Sequence, residues 1–196
     1  LQIGTEAIDL LNELGAKRMA GQARNRVGHT LLALERWQEA DDMYAAALEV
    51  WASLNHPNLY EAKAGRAVTA LRLGREAEAL QLVDDVLTFA VADALRQVIE
   101  PILMLLNCET VLTETGHTAR AAAVLTQAKN WMDTIALRND DEAFRHAYLH
   151  NVPTHRQLRE RLAQSLSAAD VHLVSLQPQL EGLVQPVVDD APGRRG

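Results

Sequence analysis

Residues 23–52 read ARNRVGHTLLALERWQEADDMYAAALEVWA, and the order of their large and small side chains decides the fold. Val27, Leu31 and Leu34 recur on one helical face; Trp37, Tyr44 and Leu48 supply bulk at helical spacing after a break near Glu35–Arg36. Gly28 in the first half, and Ala40 and Ala47 in the second, are small where two backbones must approach closely. The stretch predicts two helices folded back on each other across a tight turn. The same arrangement recurs downstream. Ala40 lies five residues beyond Glu35, Ala79 five beyond Gly74, and Ala121 five beyond Gly116. Apolar stripes follow, Leu80, Val83 and Leu87 in one case and Leu125 and Ala128 in the other.

Units are thus expected at about 58–90 and 101–137, with an insertion at 90–97, because the three alanines lie 39 and then 42 residues apart. Residues 5–14 read as a second helix whose partner is missing: Thr5 caps it, Ile8, Leu11 and Leu14 form its stripe, and Gly15 stops it. Asn55-His56-Pro57 breaks and restarts the chain. A short helix at 140–150, opened by Asp140, Asp141 and Glu142, is followed by another from Pro153 to about Ser167, with Leu158, Leu162 and Leu166 on one face. This pair is expected to cap the array. The predicted fold is therefore all-α, an α-solenoid of antiparallel helix pairs over residues 1–167. A proline-interrupted tail, residues 168–196, is expected to cover the last helix, enter the array's own groove, or join a neighbour to make a homodimer.

Composition agrees. Apolar residues make up 48% of the chain but aromatics only 4%, so the filling is Ala and Leu, as in closely packed helices. A net charge of −7 leaves no basic face to displace counterions from nucleic acid. The single cysteine, Cys108, cannot form an internal disulfide and fits a reducing cytoplasm. No apolar run reaches the roughly 18 residues of a membrane span. The chain opens on Leu1 almost directly into a helix, as a piece of a longer protein would.

The series Val27, Gly28, Leu31, Trp37, Ala40, Tyr44, Ala47 resembles the tetratricopeptide pattern, although the spacing here exceeds that family's 34-residue unit. Three further stretches look like the carboxy-terminal tetratricopeptide region of large bacterial signalling ATPases with cyclase or helix-turn-helix output domains. They are AGRAVTALRLGREAEALQLVDDVL (64–87), residues 100–112, and 144–158 with its LHNVPTHRQL and the Asn151-Val152-Pro153 element. The resemblance implies a non-catalytic scaffold for protein–protein contacts, with no cofactor, whose partner is a protein, a peptide or another domain of the parent. It also implies that successive first helices line a concave groove. By register its lining is Gln22, Asn25, His29, Glu61, Arg72, Thr110 and Glu114, a polar ladder of mixed charge that lacks a Lys/Arg clamp for a peptide carboxylate.

Other constellations point elsewhere. Glu142, His146 and His150 fall at i, i+4 and i+8 on one helix face, where two histidines and a carboxylate could share a metal ion. That motivates the alternative function, a small-molecule or metal sensor, although an HExxH sequence is lacking. Cys108 lies on an apolar face between Leu105 and Leu112 and reads as a buried structural thiol. Trp51 and Trp131 read as packing plugs, and Asp41–Asp42 and Asp84–Asp85 as solvated helix backs. No phosphate-binding glycine loop, GxSxG elbow or Cys–His pattern supports an enzyme.

Overall fold

The computed structural model describes residues 1–91 and 93–165. They form α1 (Gln2–Glu13), α2 (Lys17–Ala33), α3 (Trp37–Ser53), α4 (Leu59–Arg72), α5 (Glu76–Phe89), α6 (Pro101–Glu114), α7 (Thr118–Ala136) and α8 (Glu142–Asn151). A final helix, α9, covers 153–165, and a short 3-10 helix, Ala94–Gln97, lies in the insertion. Among the described residues there is no strand. The tail at 168–196 falls outside the described residues.

The turns set the period. Gly15, Glu35, Asn55, Gly74 and Gly116 all have positive φ, between 47° and 81°. After each, the next amide reaches back to the last turn of the preceding helix: Ala16 N to Leu11 O, Arg36 N to Leu31 O, His56 N to Trp51 O, Arg75 N to Ala70 O, and His117 N to Leu112 O, at 2.7–3.0 Å. That bond satisfies a carbonyl the helix end would otherwise leave open. Four of these residues are Gly or Asn, which tolerate the left-handed region; Glu35 is the exception and bears the strain of its Cβ. The amino-terminal helix starts earlier than the Thr5 cap predicts. Thr5 is inside the first turn, where its amide bonds Leu1 O and its hydroxyl donates to Gln2 O.

Helix pairs α2/α3, α4/α5 and α6/α7 stack in chain order, with α1 against α2 and α3 against α4. The first helices α2, α4 and α6 also adjoin one another, giving the array one inner layer. Gly28, Ala40, Ala79 and Ala121 are all buried at these contacts. The tightest is centred on Tyr44, fully buried between α2 and α4. A methyl group on Gly28 would stand 2.7 Å from its ring, and one on Gly65 only 2.3 Å from it.

Units one and two are also bolted by charge. Asp41 is buried rather than solvated, because α4 and the α4–α5 turn fold over it. It accepts from Thr69 Oγ1 (2.9 Å), Arg66 Nε (3.2 Å) and Arg75 Nη2 (2.7 Å). Burial raises the Asp41 pKa, but the bonds from Arg75 and Thr69 and the two guanidinium charges outweigh it and hold the carboxyl below its ordinary value. Asp42, Asp84 and Asp85 are exposed.

The third pair departs from strict repetition. After Ala90 the insertion carries Leu95 and Val98 into the core, and α6 packs chiefly on α4 instead of α5. Asp141 caps α8, accepting from Ala143 N and Phe144 N. Then α9 closes the end of the array, with Leu158 fully buried and Leu162 packed on the same core.

Candidate functional site

The ladder residues sit on the first helices, as their register requires, but the structure divides them into three groups. Gln22, Asn25, His29 and Glu61 come together between α2 and α4. Asn25 and Glu61 are fully buried, which corrects their expected exposure. The reason is mutual satisfaction: Glu61 Oε1 accepts from Asn25 Nδ2 (3.2 Å) and His29 Nε2 (3.1 Å). A carboxylate only accepts, so Nε2 carries a His29 proton toward Glu61, while Nδ1 lies 2.8 Å from the Tyr44 hydroxyl. Without these donors a buried carboxylate would be strongly disfavoured.

The insertion completes this network. Glu100 N donates to Glu61 Oε2 (3.3 Å), Ile99 N donates to Asn58 Oδ1 (3.2 Å), and Asn58 Nδ2 donates to Gln22 Oε1 (3.3 Å). Arg26 pairs with the Glu100 carboxylate at 2.6 Å. Asn58, Arg26, Glu100 and Tyr44 were not legible as site residues. For Asn58 and Glu61 the signal is their place at the start of α4, where side chains face the preceding first helix. Nothing in the residues themselves announces Glu100.

The second group is Arg72 and Glu114, an exposed bidentate pair across α4 and α6, one of its bonds 2.7 Å. The third is Thr110, half-buried, whose hydroxyl accepts from Arg161 Nη1 of α9 at 2.7 Å. Arg161 also donates to Leu106 O at 3.1 Å and pairs with Glu109. Beside this cluster opens a cleft of about 780 Å³ between α6, the start of α7 and the end of α9, lined by Thr110, Thr113, Glu114, Ala122, Arg161 and Gln164.

Glu142, His146 and His150 do not assemble a metal site. The two imidazoles stack at 4.5 Å, and Arg159 of α9 contacts His150. Slight burial, the Arg159 charge and His146 lower the His150 pKa. Among the described residues no group of three His, Cys, Asp or Glu is placed to hold a metal ion. Cys108 is fully buried, and burial pushes its thiol up to about 12. Among the described residues no helix is long and apolar enough to cross a membrane.

This is a helical-repeat array whose inner layer carries polar side chains beside an open cleft. Residues 19–90, covering α2 to α5, match the tetratricopeptide repeat family. No curated protein and no solved structure is significantly similar to the chain. Tetratricopeptide repeats generally mediate protein–protein interaction, which is the coarse function this similarity supports.

Proposed function

We propose that the array is a non-catalytic docking platform whose first-helix side receives a protein or peptide partner, and that it is the regulatory part of a longer bacterial signalling or transcription-regulating ATPase. The observation that carries the docking reading is the open cleft at Thr110, Thr113 and Glu114, continuous with the charged Arg72–Glu114 rung. Each unit buries its apolar face only against its neighbours, so the stack is stiff enough to transmit a partner's preference for one arrangement. Membership of a longer protein is supported by α1. Its Ile3, Leu10 and Leu14 are 82%, 55% and 70% exposed. Forty residues on, Met43 and Val50 of α3 and its C-capping Leu54 occupy the same register, and Val50 packs toward Gly21 of α2. The face of α1 thus has the character of one that meets a further first helix. The signalling-ATPase parentage rests on the resemblance of 64–87, 100–112 and 144–158.

A photocrosslinking residue at position 113, in the protein expressed in its native host, tests the platform. Discrete adducts are expected there and not from position 42, exposed on the second helix α3. Identical adduct patterns at both positions would reject the placement.

A further inference from the structure

The inserted segment behaves as a ligand would. Val98 is extended (φ −99°, ψ 141°), and the next two amides, of Ile99 and Glu100, donate to the side chains of Asn58 and Glu61. Both acceptors are fully buried beneath the segment. Side chains that read backbone N–H groups are indifferent to sequence, so this grip suits any extended segment without proline at those two positions. Selectivity enters next to it, where Arg26 of α2 meets the Glu100 carboxylate. Ile99 itself is 46% exposed and contributes little to the core beneath it. Two more polar atoms on the same face, Gln22 Nε2 and Asn25 Oδ1, are buried without a hydrogen-bond partner among the described residues. The connector therefore occupies this face without satisfying all of it.

We propose that Val98-Ile99-Glu100 is an internal occupant of a peptide-binding face, and that the partner this face takes in trans is an extended segment with an acidic residue at the position Glu100 holds. The proposal rests on the docking reading above and names the partner chemistry for its inner end. A tethered occupant has an effective concentration in the millimolar range, so an external peptide binds weakly until the connector is released. The face is thereby kept closed in the resting chain.

The test uses the full chain and a fluorescein-labelled peptide, RQVIEAG, followed by anisotropy. The double variant Ile99→Pro/Glu100→Arg removes one donated amide and reverses the charge facing Arg26. It is expected to bind the peptide at least tenfold more tightly than the unaltered chain does. Adding Arg26→Glu should abolish the gain, as should a peptide with Lys in place of Glu. Absence of saturable binding by a double variant of native helicity, or binding indifferent to Arg26→Glu, would overturn the proposal. If the double variant does not fold, hydrogen exchange on the unaltered chain decides. Excess peptide should reduce protection of the Ile99 and Glu100 amides, and unchanged protection would overturn the idea. Failure here with position-113 adducts intact would remove this occupant alone and leave the platform standing.

Discussion

Replacing Gly65 by alanine puts the packing of units one and two to its sharpest test. The added methyl would lie 2.3 Å from Tyr44 Cζ, 2.5 Å from Cε1 and 2.7 Å from the hydroxyl oxygen. Ordinary carbon contacts are about 3.5–4.0 Å, so the ring must move by more than about 1 Å. It cannot retreat freely, because Gly28 of α2 already crowds the same Cε1 atom, where a methyl would be 2.7 Å away. Overpacking of this kind costs roughly 1–3 kcal/mol, and the absence of an escape route places this site near the top. Losing the Tyr44–His29 hydrogen bond would add about 1 kcal/mol. Exchanging Gly for Ala inside a helix returns about 1 kcal/mol. The outcome is a destabilisation of about 2–3 kcal/mol, or about 4–12 °C in Tm for a chain of this size. Thermal melting by circular dichroism, with urea denaturation alongside, reads it directly. Tyr44→Leu in the Gly65→Ala background should recover part of the loss, since the smaller side chain vacates the collision. If Gly65→Ala instead raised Tm, as helix propensity alone demands, the wedge between α2 and α4 would not exist.

Glu35→Gly should stabilise the protein by about 1 kcal/mol in urea titration, because φ there is 58° and only glycine adopts that region without Cβ strain. Asp41→Ala should cost about 2 kcal/mol by removing charge-assisted bonds to Thr69, Arg66 and Arg75. The Asp41 pKa is depressed in the folded state, so its contribution is present above the unfolded value near 3.9 and is lost as pH falls through the folded one. Chemical denaturation repeated from pH 6 down to pH 2 should show a smaller loss of stability below pH 4 in the variant; parallel curves would refute the bolt. Cys108 should react with a thiol reagent only at the rate of global unfolding, because burial raises its pKa to about 12 and closes its access.

The helix pairs were legible because their cause is local. A left-handed residue every 19 or 20 positions, at 15, 35, 55 and 74, and an alanine five beyond a turn are properties of single segments, visible without any partner. Gly65 was not, although it makes the closest approach in the array. Counting back twelve from Ala40 gives Gly28, and the same count from Ala79 gives Ala67, so Gly65 falls outside the repeat's own register. Its smallness serves Tyr44 of the preceding unit, and a pattern read within one unit is blind to a contact between two. Asp41 was misread for the same reason: its three donors all lie in the next unit.

The ladder shows where register stops being informative about function. It fixed which side of α2 and α4 holds Gln22, Asn25, His29 and Glu61, and those side chains do share one network. It could not reveal what lies over them, because a residue's exposure depends on the segment that crosses it. Here that segment is the insertion, which looks from its sequence like surplus length between units. The free energy of burying Glu61 depends on a backbone amide 39 residues away, at Glu100. Polar side chains on a repeat's inner face are therefore ambiguous by nature: the donors and acceptors that would grip a foreign chain also grip the protein's own. Which chain wins is set by tether length and by the one contact that reads sequence, Arg26 with a carboxylate. Reversing that charge alone, Arg26→Glu, should raise exchange at the Ile99 and Glu100 amides while leaving the Tyr44 core protected. Uniform protection across both regions would show the connector to be held by Leu95 and Val98 burial instead of by the polar face.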